Sequence, residues 1–326
     1  MKNPVNRLLA SLEDAIDLID DSHLLPNGVF DELTDNSASP LSRLDFSKAS
    51  SLMEKCENVE SQFTNEKPVL RIIHHLACSG GTLISKCLSA IPNVFLLSEL
   101  HPYSDLHLRT AKPKFSPSDI ASLSKYAQVP EQRQLAQKLF AQSVKLTFEH
   151  VDNRAGTLIL RDHTHSDYNL GSLTENGSEV VSALKDDFEI RSIVTVRNPI
   201  DAYASLVKNN WQHFEPFTFD EYCRRLNRLL CDFSHCPIIK FEDFTHSPIS
   251  EMHKICKFFE IPFSEEFESL FELFNVTGDS GRSANVIGVR ERIAPPSIIE
   301  ESLNSPEFNK ICNTGLYQLP QPVTAN

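Results

Sequence analysis

Apolar residues change their spacing along the chain, and this spacing predicts where helices and strands form. Near the N-terminus they recur at helical intervals from Val5 to Ile19, with acidic residues elsewhere on the helical wheel. The stretch 26–40 turns polar, and a second short helix is predicted from Leu52 to Val59. We therefore expect residues 1–66 to form a helical N-terminal extension that packs against or caps the remainder.

From residue 67 onward, short runs of β-branched residues alternate with helical patterns. The predicted strands are 69–76, 94–97, 157–160, 190–196 and 238–241. The predicted helices are 82–90, one around 135–143, 199–210, 220–231 and one around 252–259, whereas 113–129 is predicted to wrap the surface. Such alternation is typical of a parallel sheet with covered faces. We predict one three-layer α/β domain over 67–326, with a parallel sheet flanked by helices.

Charge and cysteine usage narrow the classes of function. The 326 residues carry a formal net charge of −13, which disfavours nucleic acid and anionic membranes as partners but still allows a few fixed arginines to bind a phosphate. No apolar run approaches the roughly 18 residues of a membrane span, and no secretory signal is visible. The eight cysteines form no CxxC pair. We expect free thiols and a cytoplasmic protein.

A glycine-containing loop, Cys78-Ser79-Gly80-Gly81-Thr82, lies between the first predicted strand and the first predicted helix. Paired glycines let a backbone approach a ligand closely, and the free N–H groups of a helix start favour an anion. Ser79 and Thr82 add hydroxyl donors. The loop is therefore a candidate phosphate cradle, with an ordinary strand-to-helix turn as the alternative.

The same loop departs from the Walker A pattern of nucleotide-hydrolysing enzymes. That pattern would need Gly at position 75 and Lys at position 81, where this chain has His75 and Gly81. Without the P-loop lysine, ordinary ATP or GTP hydrolysis is disfavoured.

A second motif follows the fourth predicted strand. Arg197 lies at the carboxyl end of that strand, where anions bind in parallel sheets. Asn198 is a favourable N-cap and Pro199 a favourable first helical residue. Asp201 follows at the third helical position, where a carboxylate can reach back to the cap. Ser205 lies one turn beyond it on the same helical face.

This Arg-Asn-Pro-x-Asp-x-x-x-Ser arrangement resembles the 3′-phosphate-binding motif of the sulfotransferase family, whose members have a P-loop fold and use 3′-phosphoadenosine 5′-phosphosulfate (PAPS). The resemblance implies that Arg197 and Ser205 hold the 3′-phosphate. It implies also that the loop from Ser79 to Thr82 holds the 5′-phosphosulfate. Cys78 occupies the position where the family usually has Lys or Arg. Either His74, His75 or a nearby arginine supplies that charge, or activity is weak.

Two later segments strengthen the resemblance. The stretch from Ile239 to Ile261 is similar to the strand, acidic turn and helix of the family. The segment around Arg282 and Arg290 is similar to its late basic loop, which closes on the nucleotide. Together the similar elements cover roughly residues 68–295.

Candidate bases follow the second and third predicted strands. Glu99 lies where some branches of the family carry a catalytic glutamate, and His163 and His165 lie where others carry a histidine. The alternative for each is a loop residue with satisfied hydrogen bonds. Together with His101, these histidines could also suggest a zinc site. Their spacing in the sequence is not that of a metal site, so no metal is expected. Trp211 is predicted to pack beneath the Asp201 helix.

The resemblance implies a PAPS-dependent sulfotransferase that acts on a hydroxyl or amine of a small-molecule or glycan acceptor. One alternative is a catalytically idle nucleotide-binding or regulatory protein, since Cys78 replaces the loop cation. Another is a divergent P-loop kinase, which the missing Walker lysine disfavours. The sequence leaves the acceptor and the oligomeric state open.

Overall fold

Five parallel strands form a single sheet. The computed structural model describes residues 67–104, 106, 115–173, 177–278, 287–288 and 294–320. The strands are β1 (Val69–His75), β2 (Val94–Leu100), β3 (Thr157–Asp162), β4 (Glu189–Val196) and β5 (Ile238–Lys240). Their order is β2-β3-β1-β4-β5, and every neighbouring pair is parallel. Strands β3 and β2 therefore lie on one side of β1, and β4 and β5 lie on the other. Ligands bind such sheets at the carboxyl ends of the strands, at the point where the strand order changes direction.

Helices connect the strands and follow the last of them. Those before β4 are α1 (Gly81–Ser89), α2 (Ile120–Tyr126), α3 (Gln132–Asp152), α4 (His165–Tyr168) and α5 (Glu179–Leu184). Those after β4 are α6 (Pro199–Asn209), α7 (Phe219–Asp232), α8 (Phe241–His246), α9 (Pro248–Phe259), α10 (Phe267–Leu270), α11 (Pro296–Leu303) and α12 (Pro306–Asn313). A 3₁₀ turn, Phe271–Leu273, follows α10.

Side-chain alternation along the strands divides the core between the two faces of the sheet. Ile73 and Ile159 pack with residues of α1 and α9, such as Ile84 and Met252. Residues next to them in the strands, including Leu160, pack instead with α3 and α5. Because successive side chains of a strand point to opposite faces, both faces are covered. The predicted three-layer α/β architecture is confirmed.

Two segments differ from the sequence prediction. The stretch predicted to wrap the surface contains α2, whose first turn is capped where Asp119 Oδ1 accepts a hydrogen bond of 3.0 Å from the Ser122 N–H. Strand β2 extends to Leu100 instead of ending at Leu97, with a shift of register between these two residues. This irregular end of β2 carries Glu99.

Several predicted features lie outside the described residues. These are the N-terminal extension over 1–66 and the late-loop arginines Arg282 and Arg290. In the ranges that the structure does describe, no helix combines the length and apolar character needed to cross a membrane.

Candidate functional site

A cleft of about 670 Å³ opens at the carboxyl ends of the central strands. The predicted site residues that line it are Cys78, Gly80, Gly81, Thr82, Glu99, His163, His165, Arg197 and Ser205. They come from segments far apart in the chain, and the parallel sheet brings them to one edge. The volume is within the range of small-molecule and cofactor sites.

The two glycines of the loop are required by the space around them. Gly80 has a φ of 86°, and a Cβ there would lie 2.0 Å from Cδ2 of Phe241. A Cβ at Gly81 would lie 2.7 Å from the ring of His75. Because no side chain fits at either position, the backbone at the start of α1 lies directly against the cleft, as an anion cradle requires.

The two loop hydroxyls have different surroundings. Ser79 is 3% exposed, and its hydroxyl donates to the Leu76 carbonyl oxygen over 2.7 Å, so the side chain shapes the loop. Thr82 lines the cleft; its Oγ1 donates to the Gly278 carbonyl oxygen over 3.4 Å and accepts from Arg161 Nη2 over 3.2 Å. Thr82 is therefore the hydroxyl placed at the cavity, and a contact of Ser79 with a ligand stays a prediction.

The helix start after β4 has the predicted cap with one additional partner. Asn198 Oδ1 accepts from the Ile200 N–H over 3.1 Å, as an N-cap does. The backbone N–H of Asn198 donates to Glu242 Oε1 over 2.7 Å. A carboxylate from α8 thus holds the cap. The sequence had predicted a carboxylate at the cap only from Asp201.

Arg197 connects this motif to the glycine loop. Its Nη1 donates to the Cys78 carbonyl oxygen over 3.4 Å, and its guanidinium carbon lies 5.4 Å from the centre of the Phe241 ring. Ser205 lines the same cleft from α6, and Asn209 Nδ2 contacts Cys78 Sγ at 3.7 Å. The loop and the Arg197 motif therefore form one continuous wall.

Arg161, at the end of β3, lies on the floor of the cleft and is 3% exposed. Its Nε donates to His75 Nε2 over 2.7 Å, and its Nη2 lies 2.5 Å from Glu99 Oε1. Nη1 donates to Ser98 Oγ over 3.0 Å and to the Thr277 carbonyl oxygen over 3.2 Å. Arg161 is not among the site residues that the sequence motifs predict.

The structure shows where the three candidate sources of positive charge lie relative to the loop. His74 is fully buried on the opposite face of the sheet, with its ring nitrogens 2.8 Å from Asp162 Oδ2 and 3.0 Å from Ser192 Oγ. Burial, reinforced by the charge of Arg161, holds the pKa of His75 well below its usual range, so this ring is neutral. The described arginines that contact the loop and line the cleft are Arg161, through Thr82, and Arg197, through the Cys78 carbonyl oxygen.

A sequence signal for Arg161 does exist. A cation and an anion end the apolar run of β3, and strand alternation sends them to opposite faces: Arg161 to the cleft and Asp162 to His74. Lys86, 6% exposed and one helical turn after Thr82, also lines the cleft and was not predicted. Trp211 lines it as well and is 38% exposed, so the prediction that it packs beneath the helix was wrong.

Glu99 is held at the cleft by an unusual backbone conformation. Its φ of 59° is rare for a residue with a side chain, and it lies within the register shift of β2. Burial raises the pKa of its carboxyl, and the charge of Arg161 opposes this rise. Glu99 Oε2 lies 3.5 Å from His163 Nε2. His163 Nδ1 is in turn 3.2 Å from Ser166 Oγ. Glu99 and His163 thus form a pair of groups able to take up a proton.

His165 has a different character. Its Nε2 lies 2.6 Å from Nδ1 of His213, and burial, with a smaller effect of His213, lowers the pKa of His165 to about 3. The ring is neutral at ordinary pH. His101 Nε2 lies 2.9 Å from Asp167 Oδ1, so this histidine is engaged in its loop. Within the described part of the chain, no three His, Cys, Asp or Glu residues form a cluster that could hold a metal ion.

The charges at the cleft differ from those of the whole protein. Its described lining contains the cations Lys86, Arg161 and Arg197 and a single carboxylate, Glu99, although the chain carries a net charge of −13. A concave site with excess positive charge favours an anionic ligand. The cleft can therefore bind phosphate or sulfuryl groups next to a potential general base.

Comparisons with known proteins agree with this geometry. A sulfotransferase family model matches residues 72–265, more than half of the chain. Among solved structures, the sulfotransferase domain from the curacin biosynthetic pathway has a TM-score of 0.51 at 15% identity, over 78% of this chain and 100% of that one. The sulfotransferase domain of the Synechococcus PCC 7002 olefin synthase has a TM-score of 0.48 at 18% identity, over 79% and 98%.

No curated protein sequence matches the chain significantly. The likeness to the curacin-pathway domain supports the fold, and the family model covers the glycine loop, Glu99, the β3 end and the Arg197 motif. The chain therefore belongs to the sulfotransferase family.

Proposed function

We propose that the protein transfers a sulfuryl group from PAPS to a hydroxyl or amine of a small-molecule or glycan acceptor. The observation that carries this proposal is that the glycine loop and the Arg197 motif line one cleft together with Glu99. Two anion-binding elements next to a candidate base are what transfer of a charged group needs.

The donor is proposed to lie along the wall formed by the loop and the motif. Arg197 and Ser205 hold the 3′-phosphate, and the backbone from Gly80 to Thr82 holds the 5′-phosphosulfate at the start of α1. Arg282 and Arg290 are proposed to contact the nucleotide from the late loop.

Chemistry occurs where the donor meets Glu99. The acceptor oxygen or nitrogen attacks sulfur in line with the bond to the 5′-phosphate, while Glu99 or His163 takes the acceptor proton. Arg161, 2.5 Å from Glu99, supplies the cation that the family usually has at the position of Cys78. Positive charge there stabilises the sulfuryl oxygens in the transition state.

We also propose a cytoplasmic location. The seven cysteines among the described residues are all free thiols, as is usual in a reducing compartment.

The proposed function is tested first by calorimetry with 3′,5′-bisphosphoadenosine (PAP) and, separately, ATP with magnesium. Micromolar binding of PAP, and a loss of about tenfold to a hundredfold in Arg197→Ala, is expected because one charged contact contributes about 1.5–3 kcal/mol. Arg191→Ala is the matched control, since Arg191 lies in β4, the strand that Arg197 follows, but pairs with Glu260 at 2.7 Å.

Sulfate transfer from PAPS to a panel of phenols, alcohols, amines and sugars then separates enzyme from binding protein. Preference for ATP with magnesium, or no binding of PAP, would rule out the sulfotransferase function. Binding of PAP with no transfer to any acceptor supports the idle nucleotide-binding alternative.

A further inference from the structure

Each nitrogen of the Arg161 guanidinium contacts at least one acceptor, in four hydrogen bonds and an ion pair. Nε donates to His75, and the two hydrogens of Nη1 serve Ser98 Oγ and the Thr277 carbonyl oxygen. Nη2 donates to Thr82 Oγ1 over 3.2 Å and lies 2.5 Å from Glu99 Oε1 in the ion pair. A guanidinium has no further N–H to offer. A new oxygen at Arg161 therefore competes with these acceptors.

The guanidinium itself is held in place. Its Nε and Nη1 partners belong to β1, to β2 and to the backbone at Thr277, and Thr277 is tied to β2 a second time, since its Oγ1 donates to the Ser98 carbonyl oxygen over 2.6 Å. Three fixed contacts define the plane of the guanidinium. His75, Ser98 and Thr277 also line the cleft, but their contacts hold this plane. The contacts of Nη2 with Thr82 and Glu99 are not needed for that, so exchange takes place there.

Glu99 is the partner most readily exchanged. Glu99 is an anion, so a sulfuryl oxygen that takes its place keeps Arg161 paired with a negative charge. The Thr82 hydroxyl is neutral and contributes no such charge. Its side chain is 20% exposed, and its second oxygen already faces His163 at 3.5 Å. Arg161 also lowers the pKa of Glu99 against the effect of burial. Losing that contact therefore strengthens Glu99 as a base.

We propose that the sulfuryl group of bound PAPS replaces the Glu99 carboxylate on Arg161 Nη2, so that Glu99 becomes a proton acceptor only when the donor is in place. This inference rests on the proposed function. In the reaction the acceptor oxygen forms a bond to sulfur and its proton passes to Glu99. The bond from sulfur to the 5′-phosphate oxygen breaks, and its electron pair leaves with PAP. Because PAP lacks the sulfuryl group, PAP leaves the Arg161–Glu99 contact intact.

The test compares binding of PAPS and of PAP by calorimetry in the absence of acceptor. The phosphate monoesters of the nucleotides themselves have a pKa of about 6, so proton uptake at that pH is compared between wild type and Glu99→Gln for each nucleotide. Uptake is seen as a heat that varies with the ionisation enthalpy of the buffer. Wild type should take up more protons than Glu99→Gln on binding PAPS and the same number on binding PAP. Glu99→Gln should also tighten PAPS about tenfold, since a charged competitor for Arg161 is removed, with PAP affinity unchanged. In an Arg161→Gln background, Glu99→Gln should have no effect on PAPS affinity.

Retained PAP affinity shows that each variant is folded. Glu99→Gln preserves the shape of the side chain, so the test can rely on this variant if Arg161→Gln does not fold. If wild type binds neither nucleotide, the proposed function itself fails. If wild type and Glu99→Gln take up equal numbers of protons on binding PAPS, and Glu99→Gln leaves PAPS affinity unchanged, the exchange at Arg161 is refuted while the proposed function stands.

Discussion

Arg161 and Glu99 form an ion pair of 2.5 Å at the carboxyl ends of the neighbouring strands β3 and β2, with side chains only 3% and 20% exposed. Taking two charges out of water costs free energy that their attraction does not fully return. A pair of this kind is poor evidence for stability. Its location at the floor of a cationic cleft is instead typical of a functional site, where ionisable groups often have shifted pKa values.

The first prediction concerns the base. Glu99→Gln should lower kcat by about a hundredfold to ten-thousandfold, because a general base contributes that much to the rate. The raised pKa of Glu99 should place the acidic limb of the kcat/KM profile above its ordinary value of 4.5, since activity falls as the carboxylate becomes protonated. The profile of wild type, measured by sulfate transfer to an accepted phenol or alcohol, checks this.

His163→Ala and His165→Ala serve as comparisons. If His163 is the base instead, its replacement causes the larger loss and Glu99→Gln retains the acidic limb. His165, a neutral ring bound to His213, should affect kcat less than either. Wild-type turnover in both Glu99→Gln and His163→Ala would place the base elsewhere.

The second prediction concerns the glycine loop. Gly80→Ala adds a Cβ 2.0 Å from Cδ2 of Phe241 at a φ of 86°, so the loop or the ring must move. We expect PAP affinity to fall at least about tenfold and stability to fall by about 1–3 kcal/mol. Calorimetry and urea denaturation measure the two effects.

Gly171→Ala is the matched control, because Gly171 also has a positive φ, of 56°, but no atom would lie within 4 Å of its Cβ. It should cost about 1 kcal/mol and leave PAP affinity unchanged. Equal effects of the two substitutions on PAP binding would contradict a cradle at Gly80.

The third prediction concerns stability and pH. The pKa of His165 is lowered to about 3 in the folded protein, so between this value and its ordinary 6.5 only the unfolded state binds the proton. Stability should therefore fall as pH falls below about 6.5, by up to about 1.4 kcal/mol per pH unit from this group. His165→Gln should flatten the slope of the urea-derived free energy of unfolding between about pH 5 and pH 7.

Replacing the exposed His246 by Gln is the control and should leave that slope as in wild type. His75, whose pKa is also lowered, contributes to the slope in every variant and cancels in the comparison. An unchanged slope in His165→Gln would mean that its ring is not buried in neutral form.

The fourth prediction concerns the opposite face of the sheet. Asp162, fully buried, accepts from Ser178 Oγ over 2.8 Å and lies 2.8 Å from His74 Nδ1. Asp162→Asn should cost about 2 kcal/mol of unfolding free energy, because an amide cannot satisfy the same buried donors. PAP affinity at low temperature should be retained.

Asp187→Asn is the matched control, since Asp187 pairs with Lys145 over 2.7 Å with both side chains about a third exposed. Exposed pairs contribute about 0–1 kcal/mol. A cost at Asp162 no greater than that at Asp187 would show that the buried contacts do not stabilise the sheet.

Much of the fold was predictable because its signals are local. The runs of β-branched residues gave β1, β4 and β5 within about two residues, and Asn198-Pro199 marked the start of α6. The end of β2 was not predictable, because the conformation of Glu99 depends on its contact with Arg161 in the next strand. Helix α2 was missed because Ser and Pro dominate its surroundings.

Some features of the candidate site, like some of the fold, follow from neighbouring residues, and others follow from contacts between distant parts of the chain. The sequence alone determined that a glycine loop begins a helix, that Arg197 ends a strand, and which family these motifs resemble, since each depends on neighbouring residues. Only the tertiary structure decided that Arg161 lies at the cleft beside the loop and that it is paired with Glu99. The order β2-β3-β1-β4-β5 creates those neighbours, and contacts between strands so distant in the chain have no counterpart in local sequence.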